Sequence, residues 1–489
     1  MQSVTLKRLT GNASIAVALL WLVIGCSATA SSPRAQATSP AWNALSLEER
    51  AFLDTLSRRT FDWFWETAHE GNHLTPDRWP TRSFASVGGS GFALTAYVIG
   101  AERGWVTREA AAERLRGSLR FFADARLDTS RSGATGYRGF YYHFLDPVTG
   151  TRFADVELST VDTGLLLMGA LLGRGYFDGD NDVERELRAL ADTLEARADW
   201  QWASVRPPTI ALGWKPESGH LPYDWRGYNE ALFMHVLALG SPTHAVSEAA
   251  YDEWLSRYRW GTYQGYEHLG FAALFGHQYS HVWIDFRGIH DRFTAEKGVD
   301  YFENSRRATL AQRKYAIANP SGFAGYDSLV WGLTACDGPV DRTLTIAGRE
   351  RTFRTYAARG ASFTEVIDDG TLSPTAVGGS VAFAPEVCVP ALMAMAARHG
   401  EPLYGRYGFV DAFNPTLTES IAVQHGRVIP GVGWYDTDHL AIDQGPILAM
   451  IENLRTGLVW DVMRRDPSIR RGLERAGFHG GWLTLEKAR

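Results

Sequence analysis

Two kinds of apolar pattern alternate along the chain, and this contrast limits the fold more than any other feature. The run Val161-Asp162-Thr163-Gly164-Leu165-Leu166-Leu167-Met168-Gly169-Ala170-Leu171-Leu172 is apolar or small on almost every face, whereas Asp182 to Asp199 keeps a charged stripe. A helix that is apolar all round must be covered by protein on every side, while an amphipathic one keeps a wet face. Helical spacing recurs over 45–66, 91–102, 107–125, 158–174, 183–198, 228–239, 248–258, 297–318, 385–398 and 442–463, and strand-like alternation is scarce. An inner ring of helices wrapped by an outer ring accounts for both patterns, so the expectation is an all-α (α/α)6 barrel, a toroid, over residues 42–489. A helical solenoid competes, but no fixed-period repeat supports it. Long aromatic and glycine-rich connections at 71–90, 129–157, 200–226, 259–296 and 416–441 are expected to line a cleft. The Arg-rich segment 336–369 reads as a flap or hairpin insertion.

The amino terminus reads as an address. Lys7 and Arg8 precede an apolar run from Ala13 to Gly25, too short to span a membrane and suited to a signal peptide over 1–25. The run ends Val23-Ile24-Gly25-Cys26, which resembles the bacterial lipobox, so Cys26 is the expected lipidation site. Ser27 follows, and by analogy with bacterial sorting this sends the protein to the outer membrane of a Gram-negative cell, at the periplasm or surface. Ordinary secretion with cleavage near Ala28-Thr29-Ala30 is the alternative. Residues 26–41 are small, polar and proline-spaced, as a flexible tether is. Cys336 and Cys388 remain, and a disulfide and two buried free thiols both fit.

Charge and composition narrow the partners. Asp plus Glu outnumber Lys plus Arg by 55 to 49, which argues against nucleic acid and against anionic lipid beyond the anchor itself. The 17 Trp, 19 Tyr and 24 Phe suit stacking on carbohydrate as well as core packing. No phosphate loop, dinucleotide fingerprint, HExxH or CxxC motif occurs, so chemistry without a cofactor or metal is expected. The alternating acids of Asp178 to Glu184 imitate a calcium loop, yet its twelfth position is Ala189 rather than Glu. A polar turn capping the next helix is the simpler reading. His277, His281 and Asp285 would share one face of a helix as metal ligands, but their aromatic surroundings favour a hydrogen-bonding role.

Acids beside aromatics are more informative, because glycoside hydrolysis needs one carboxylic acid and one carboxylate facing the same cleft. Trp225-Arg226-Gly227-Tyr228-Asn229-Glu230-Ala231 places Glu230 at the opening of an apolar helix. Tyr435-Asp436-Thr437-Asp438-His439-Leu440-Ala441-Ile442-Asp443-Gln444-Gly445-Pro446 places Asp443 at another, where helix capping is the plainer alternative. Glu157-Leu158-Ser159-Thr160-Val161-Asp162-Thr163 puts Asp162 on an otherwise apolar helix, which is costly unless it meets a partner.

These stretches, with Phe61-Asp62-Trp63-Phe64-Trp65-Glu66, Ser86-Val87-Gly88-Gly89-Ser90-Gly91-Phe92, His281-Val282-Trp283-Ile284-Asp285-Phe286-Arg287, Trp331-Gly332-Leu333-Thr334-Ala335-Cys336-Asp337-Gly338-Pro339 and Asp369-Gly370-Thr371-Leu372-Ser373-Pro374-Thr375-Ala376, resemble the bacterial glucoamylase-like hydrolases exemplified by endo-β-1,2-glucanases of glycoside hydrolase family 144. The resemblance runs in order from about residue 55 to 465. It implies an (α/α)6 barrel, an inverting mechanism and β-1,2-glucan as substrate, with Glu230 as general acid and Asp443 as base. It also implies cleft roles for Glu157, Asp162, Tyr228, Gln278, His281, Asp285, Trp331 and Asp337. Segments 338–368 and 416–438 look longer than the family pattern, which leaves endo action and exo release of sophorose both open. A lipid-anchored glycan-binding protein and a phosphorylase on the same fold are the competing functions, and a monomer is expected.

The lipobox reading makes a direct prediction: Cys26→Ala releases the protein from the membrane fraction into the soluble fraction. Equal membrane association of variant and wild type would remove the anchor.

Overall fold

The computed structural model describes residues 37–485. The expected signal peptide, Cys26 and the start of the tether lie outside the described residues. Folded structure begins slightly before Trp42, with a short helix Pro40–Ala44 capped by Ser39, whose N–H and hydroxyl donate to Arg455 O and Leu454 O.

Helices Val87–Glu102, Thr160–Tyr176, Leu232–Gly240, Phe275–Trp283, Pro374–Gly378 and Ala441–Arg455 are buried round most of their surface. Helix 87–102 packs on 160–176 and on 441–455, 160–176 on 232–240, and 275–283 on both 232–240 and 441–455. The closest of these approaches rests on glycine: a Cβ added to Gly91 would stand 2.2 Å from Leu165 O. Buried polar groups tie the set together. Trp283 Nε1 donates to Thr95 Oγ1 (2.9 Å), Asn453 Nδ2 to Val282 O (2.9 Å), and Gln278 Nε2 to Ala376 O and Ser380 Oγ (both 2.8 Å). Left unmade, each would be a costly buried orphan, so these bonds fix the helices in register.

Around them lie amphipathic helices Leu47–Thr67, Arg108–Asp124, Asp182–Arg197, Ala249–Ser256, Tyr301–Ala318 and Pro385–His399, each with exposed positions on one side. Their starts are signalled locally: Ser46 and Glu49 form a capping box, and Thr107, Asn181 and Asp300 cap the next three long ones. Asn181 caps from within the acidic stretch 178–184, whose carboxylates are taken up by Arg108 and Arg185. That stretch is a capped polar turn.

Buried and amphipathic helices of the two expected kinds are thus present, with differences from the expected segments. Helix 275–283 lies inside the segment 259–296 expected to be a connection, helix 374–378 falls where no helix is expected, and helix 442–463 is two helices, broken at Gly457 with φ +78°. Short strands also occur throughout the connections. A five-stranded antiparallel sheet runs 136–137, 140–142, 158–159, 213–215, 219–220, strand 85–86 pairs with 144–145, and 78–79 pairs with 439–440. Strands 85–86, 158–159 and 439–440, each in a different sheet, run straight into the buried helices that follow them.

The insertion 336–369 holds a hairpin, strands Arg342–Ile346 and Arg349–Phe353, turning at Ala347-Gly348 with both φ values positive. Arg359 clamps its base. Its guanidinium is fully buried, pairs with both oxygens of Asp369 (2.8 Å each) and donates to Cys336 O, Arg354 O and Thr355 O. Cys336 and Cys388 are buried free thiols.

Arg359→Met should therefore destabilise the protein by about 3–5 kcal/mol, because Asp369 is left buried without its partner. The check is the urea unfolding midpoint, and an unchanged midpoint would show that the clamp is ornamental.

Candidate active site

A cavity of about 470 Å³ opens at the N-terminal ends of the buried helices. Asp162, Glu230, Tyr279, His143, Arg78 and Tyr356 are among the residues that line it. Each carboxylate arrives by local rules. Ser159 caps helix 160–176 by accepting from Asp162 N–H, and its hydroxyl donates back to Asp162 Oδ2 at 2.5 Å. Gly88 makes room, since a Cβ there would sit 2.5 Å from Asp162 Oδ1. The cost of burying Asp162 is offset by Ser159 and by His143, whose Nε2 lies 3.5 Å away.

Glu230 stands in the turn just ahead of helix 232–240, one residue outside its Ala231 N-cap. The turn is held by Asn229 Oδ1, which accepts from Ala231 N–H, and by Ser280, whose hydroxyl donates to Glu230 O. Burial, opposed by a backbone hydrogen bond and reinforced by the charge of Asp162, raises its pKa to about 7. A carboxyl group in that range is protonated for much of the time near neutrality.

Asp443 occupies the first turn of helix 441–455, whose N-cap is Leu440, so it is not the capping residue. It is buried, and one oxygen has no protein partner among the described residues. Burial, together with the charges of Asp337, Asp77 and Asp436, raises its pKa despite a hydrogen bond with Asp411. Asp411 and Asp436 are likewise raised by burial and by their acidic neighbours. Arg78 holds the cluster together, reaching Asp337 at 2.6 Å and Asp77 at 3.3 Å. Carboxylate oxygens of Asp337, Asp411 and Asp436 lie within 4.8 Å of one another, close enough to share a cation, with Arg78 already supplying one positive charge at Asp337.

Tyr279 joins the two groups of acids. Its hydroxyl donates to Ile442 O, and burial, then Asp443, Glu230 and Asp162 among its charged neighbours, raise its pKa well above the ordinary value. His143 bridges Asp162 to Glu157, whose Oε1 is 2.9 Å from Nδ1. Burial alone would strip its proton, but Asp162 and Glu157 outweigh burial and raise its pKa to about 9. Glu157 responds in kind: burial would raise it, and the imidazolium holds it low.

The structure thus brings together Glu230, Asp162, Glu157, Asp443 and Asp337. It places the other expected residues elsewhere. Tyr228 is buried against Tyr301 and Asn304, Gln278 ties helix 275–283 to 374–378, and Trp331 is wholly buried. His281 meets Ser305 among Phe286, Phe302 and Phe383. Asp285 lies past the end of helix 275–283, bound to Arg287 and Arg464, so it shares no helix face with His277 and His281. Asp77, Arg78, His143, Tyr279, Tyr356 and Asp411 belong to no motif that marks them as functional in the sequence. Asp77, Arg78, His143 and Tyr279 sit in connections expected to line a cleft, Tyr356 sits in the 336–369 insertion, and Asp411 sits in neither.

Residues 222–467 match the family model described as "Putative glucoamylase". The chain is 31% identical to a "putative glucoamylase" from Bacteroides uniformis, whose crystal structure superposes with a TM-score of 0.76 over 90% of this chain and 100% of that one. It is 28% identical to an endo-β-1,2-glucanase from Chitinophaga pinensis, solved with sophorotriose and glucose, at a TM-score of 0.76 over 89% of this chain and 100% of that one. It is also 28% identical, over 88% of its length, to an exo-β-1,2-glucooligosaccharide sophorohydrolase from Parabacteroides distasonis, and spans 58% of that relative. On the family match across half its length and the 31% identity to a structure it covers in full, this chain belongs to the glucoamylase-like family.

Proposed function

We propose that the protein is a glycoside hydrolase that cleaves β-1,2-linked glucan by inversion, with the two helix sets forming an (α/α)6 barrel around the cavity. The observation that carries this reading is one aromatic-lined cavity that holds Glu230, a carboxyl group with its pKa raised to about 7, together with Asp77, Arg78 and Ile442, which bring the acid cluster of Asp443 to its wall. Glu230 donates its proton to the glycosidic oxygen, and Asp443 takes one from a water that attacks the opposite face of the sugar. Neither step needs a metal or cofactor. The choice of β-1,2-glucan rests on the sophorohydrolase and the endo-β-1,2-glucanase among the relatives. A phosphorylase would need to hold phosphate where Arg78 is already committed to Asp337 and Asp77, and further buried acids repel an anion there.

Segments 338–368 and 416–438 then set where the chain is cut. The first carries Tyr356, half exposed, onto the cavity wall, and the second carries Asp438 beside Arg78 and Asp436 beside Asp337 and Asp411. An acylated Cys26 would hold the enzyme, as a monomer, at the outer membrane facing its glucan.

Glu230→Gln and Asp443→Asn should each lower kcat by about 10²–10⁴-fold while binding of the glucan survives. Proton NMR should find the first-formed sugar in the α configuration, and a β product would overturn the inverting assignment. Glu230 must be protonated, so kcat/KM falls as pH rises through about 7. Asp443 must be ionised, and its raised pKa puts the acid limb above the ordinary carboxylate range. A bell centred near neutrality is the expected profile, and Glu230→Gln should lose its alkaline limb.

His143 gives a stability test. Its folded pKa of about 9 lies above the ordinary 6.5, so its contribution is full below 6.5 and vanishes as pH rises through about 9. The gap in urea midpoint between wild type and His143→Gln should close over that window. A gap independent of pH would show that the imidazole acts by shape alone.

A further inference from the structure

We propose that Phe84, Phe144 and Phe153 form an aromatic platform that binds glucosyl units beyond the cavity, extending the cleft outward from His143. The proposal rests on the glucan-hydrolase reading above and adds where the rest of the chain lies. The rings form a continuous series: His143 stacks on Phe144 at 3.9 Å, Phe144 meets Phe84 at 4.0 Å, and Phe84 meets Phe153 at 5.0 Å. The first three side chains line the cavity, while Phe153 is 38% exposed. One end of the series therefore touches Glu157 and Asp162 through His143, and the other reaches solvent.

The platform is held by backbone. Ser86 pairs with Phe144 and Ala85 with Leu145, Phe153 N–H donates to Phe144 O at 3.0 Å, and Asp77 N–H donates to Phe84 O at 2.9 Å. Arg152, buried and bonded to both oxygens of Glu217 and to Val156 O, pins the strand edge just before Phe153. A rigid apolar face kept partly exposed loses free energy to water unless something covers it. A glucosyl ring is a suitable cover, since one face presents mainly C–H groups while its hydroxyls point outward to solvent. Continuity with the acid-lined cavity favours the substrate's own chain over a protein partner, because a chain threaded past Glu230 emerges along these rings.

The test is chain-length dependence. For wild type, Phe153→Ala and Phe153→Trp, kcat/KM is measured on β-1,2-gluco-oligosaccharides from the shortest cleaved upward. Phe153→Ala should reduce the ratio of long-chain to short-chain kcat/KM by about tenfold, the scale of one lost apolar contact in a substrate site. Phe153→Trp, which keeps a ring face, should restore it. Wild-type cleavage whose length dependence is untouched by Phe153→Ala would overturn the platform alone. No cleavage of β-1,2-glucan by wild type at any length would overturn the substrate reading, and the platform with it.

Discussion

The site depends on holding many carboxyl groups together out of water. Asp77, Asp337, Asp411, Asp436, Asp438 and Asp443 are all buried round Arg78, and like charges at close range in a medium of low dielectric cannot all ionise. One guanidinium lowers the cost without cancelling it, and the remainder appears as raised pKa values at Asp443, Asp411, Asp436 and Asp77. Asp77 goes to about 6, with burial as the largest cause, ahead of the opposing pull of Arg78. Such a cluster persists only if the surrounding scaffold is stable enough to hold it in place. The buried helices, tied by Gln278, Asn453 and Trp283, provide that scaffold, and residues at the starts of five of them line the cavity that Asp77 and Arg78 also line.

This explains why residues with no contact to the cavity resemble functional ones in sequence. Gln278, His281 and Asp285 are polar residues on or beside a buried helix, and each has a partner within the protein: a neighbouring backbone carbonyl and hydroxyl, Ser305, and two arginines, although Gln278 Oε1 and His281 Nδ1 have none among the described residues. A polar residue in an apolar run has to find a partner, and sequence does not reveal whether that partner is protein or substrate. Asp162 belongs to the same class and does reach the cavity, because Ser159 and Gly88 put it at the first turn, where its helix opens on the mouth. Asp162 and Glu230 reach the cavity from the N-terminal ends of their helices, whereas Gln278 and Tyr279, neighbours in the middle of one helix, are separated by face: Tyr279 lines the cavity and Gln278 meets Ala376 and Ser380.

The long helices were legible because twelve or more residues carry a clear period and because their caps are local. Helix 275–283 was not, since Phe275-Gly276-His277-Gln278-Tyr279-Ser280-His281 mixes polar with aromatic residues and has no side-chain cap. Helix 374–378 has five residues with Pro and Gly, too few for any period. The paired strands escaped for the same reason, because a strand of two residues has no alternation to read. Yet those strands decide the site. Strand 78–79 brings Asp77 and Arg78 to the start of helix 441–455 by pairing Arg78 with Leu440, and strand 144–145 brings His143 to Asp162. Such long-range contacts are fixed by the closed packing of the whole domain, which no local window contains.

The two ends of the cavity differ in how firmly they are built. The wall bearing Phe84, Phe144 and His143 is strand-paired on both sides and continues into the five-stranded sheet through His143 N–H, which donates to Glu157 O. Another wall carries Tyr356, at the foot of a hairpin whose strands expose most of their residues, bury Ile346 and Phe353 in a small second core with Cys336, Ala412, Leu417 and Trp434, and are clamped at the base by Arg359. An element with few buried apolar contacts opens at lower free energy than a paired core strand. The first wall is therefore strand-paired backbone, while Tyr356 stands at the foot of the less deeply packed insertion. On the function proposed above, the phenylalanine side would be the firmer wall for the substrate and the insertion side, with Tyr356 at its foot, the one more able to yield.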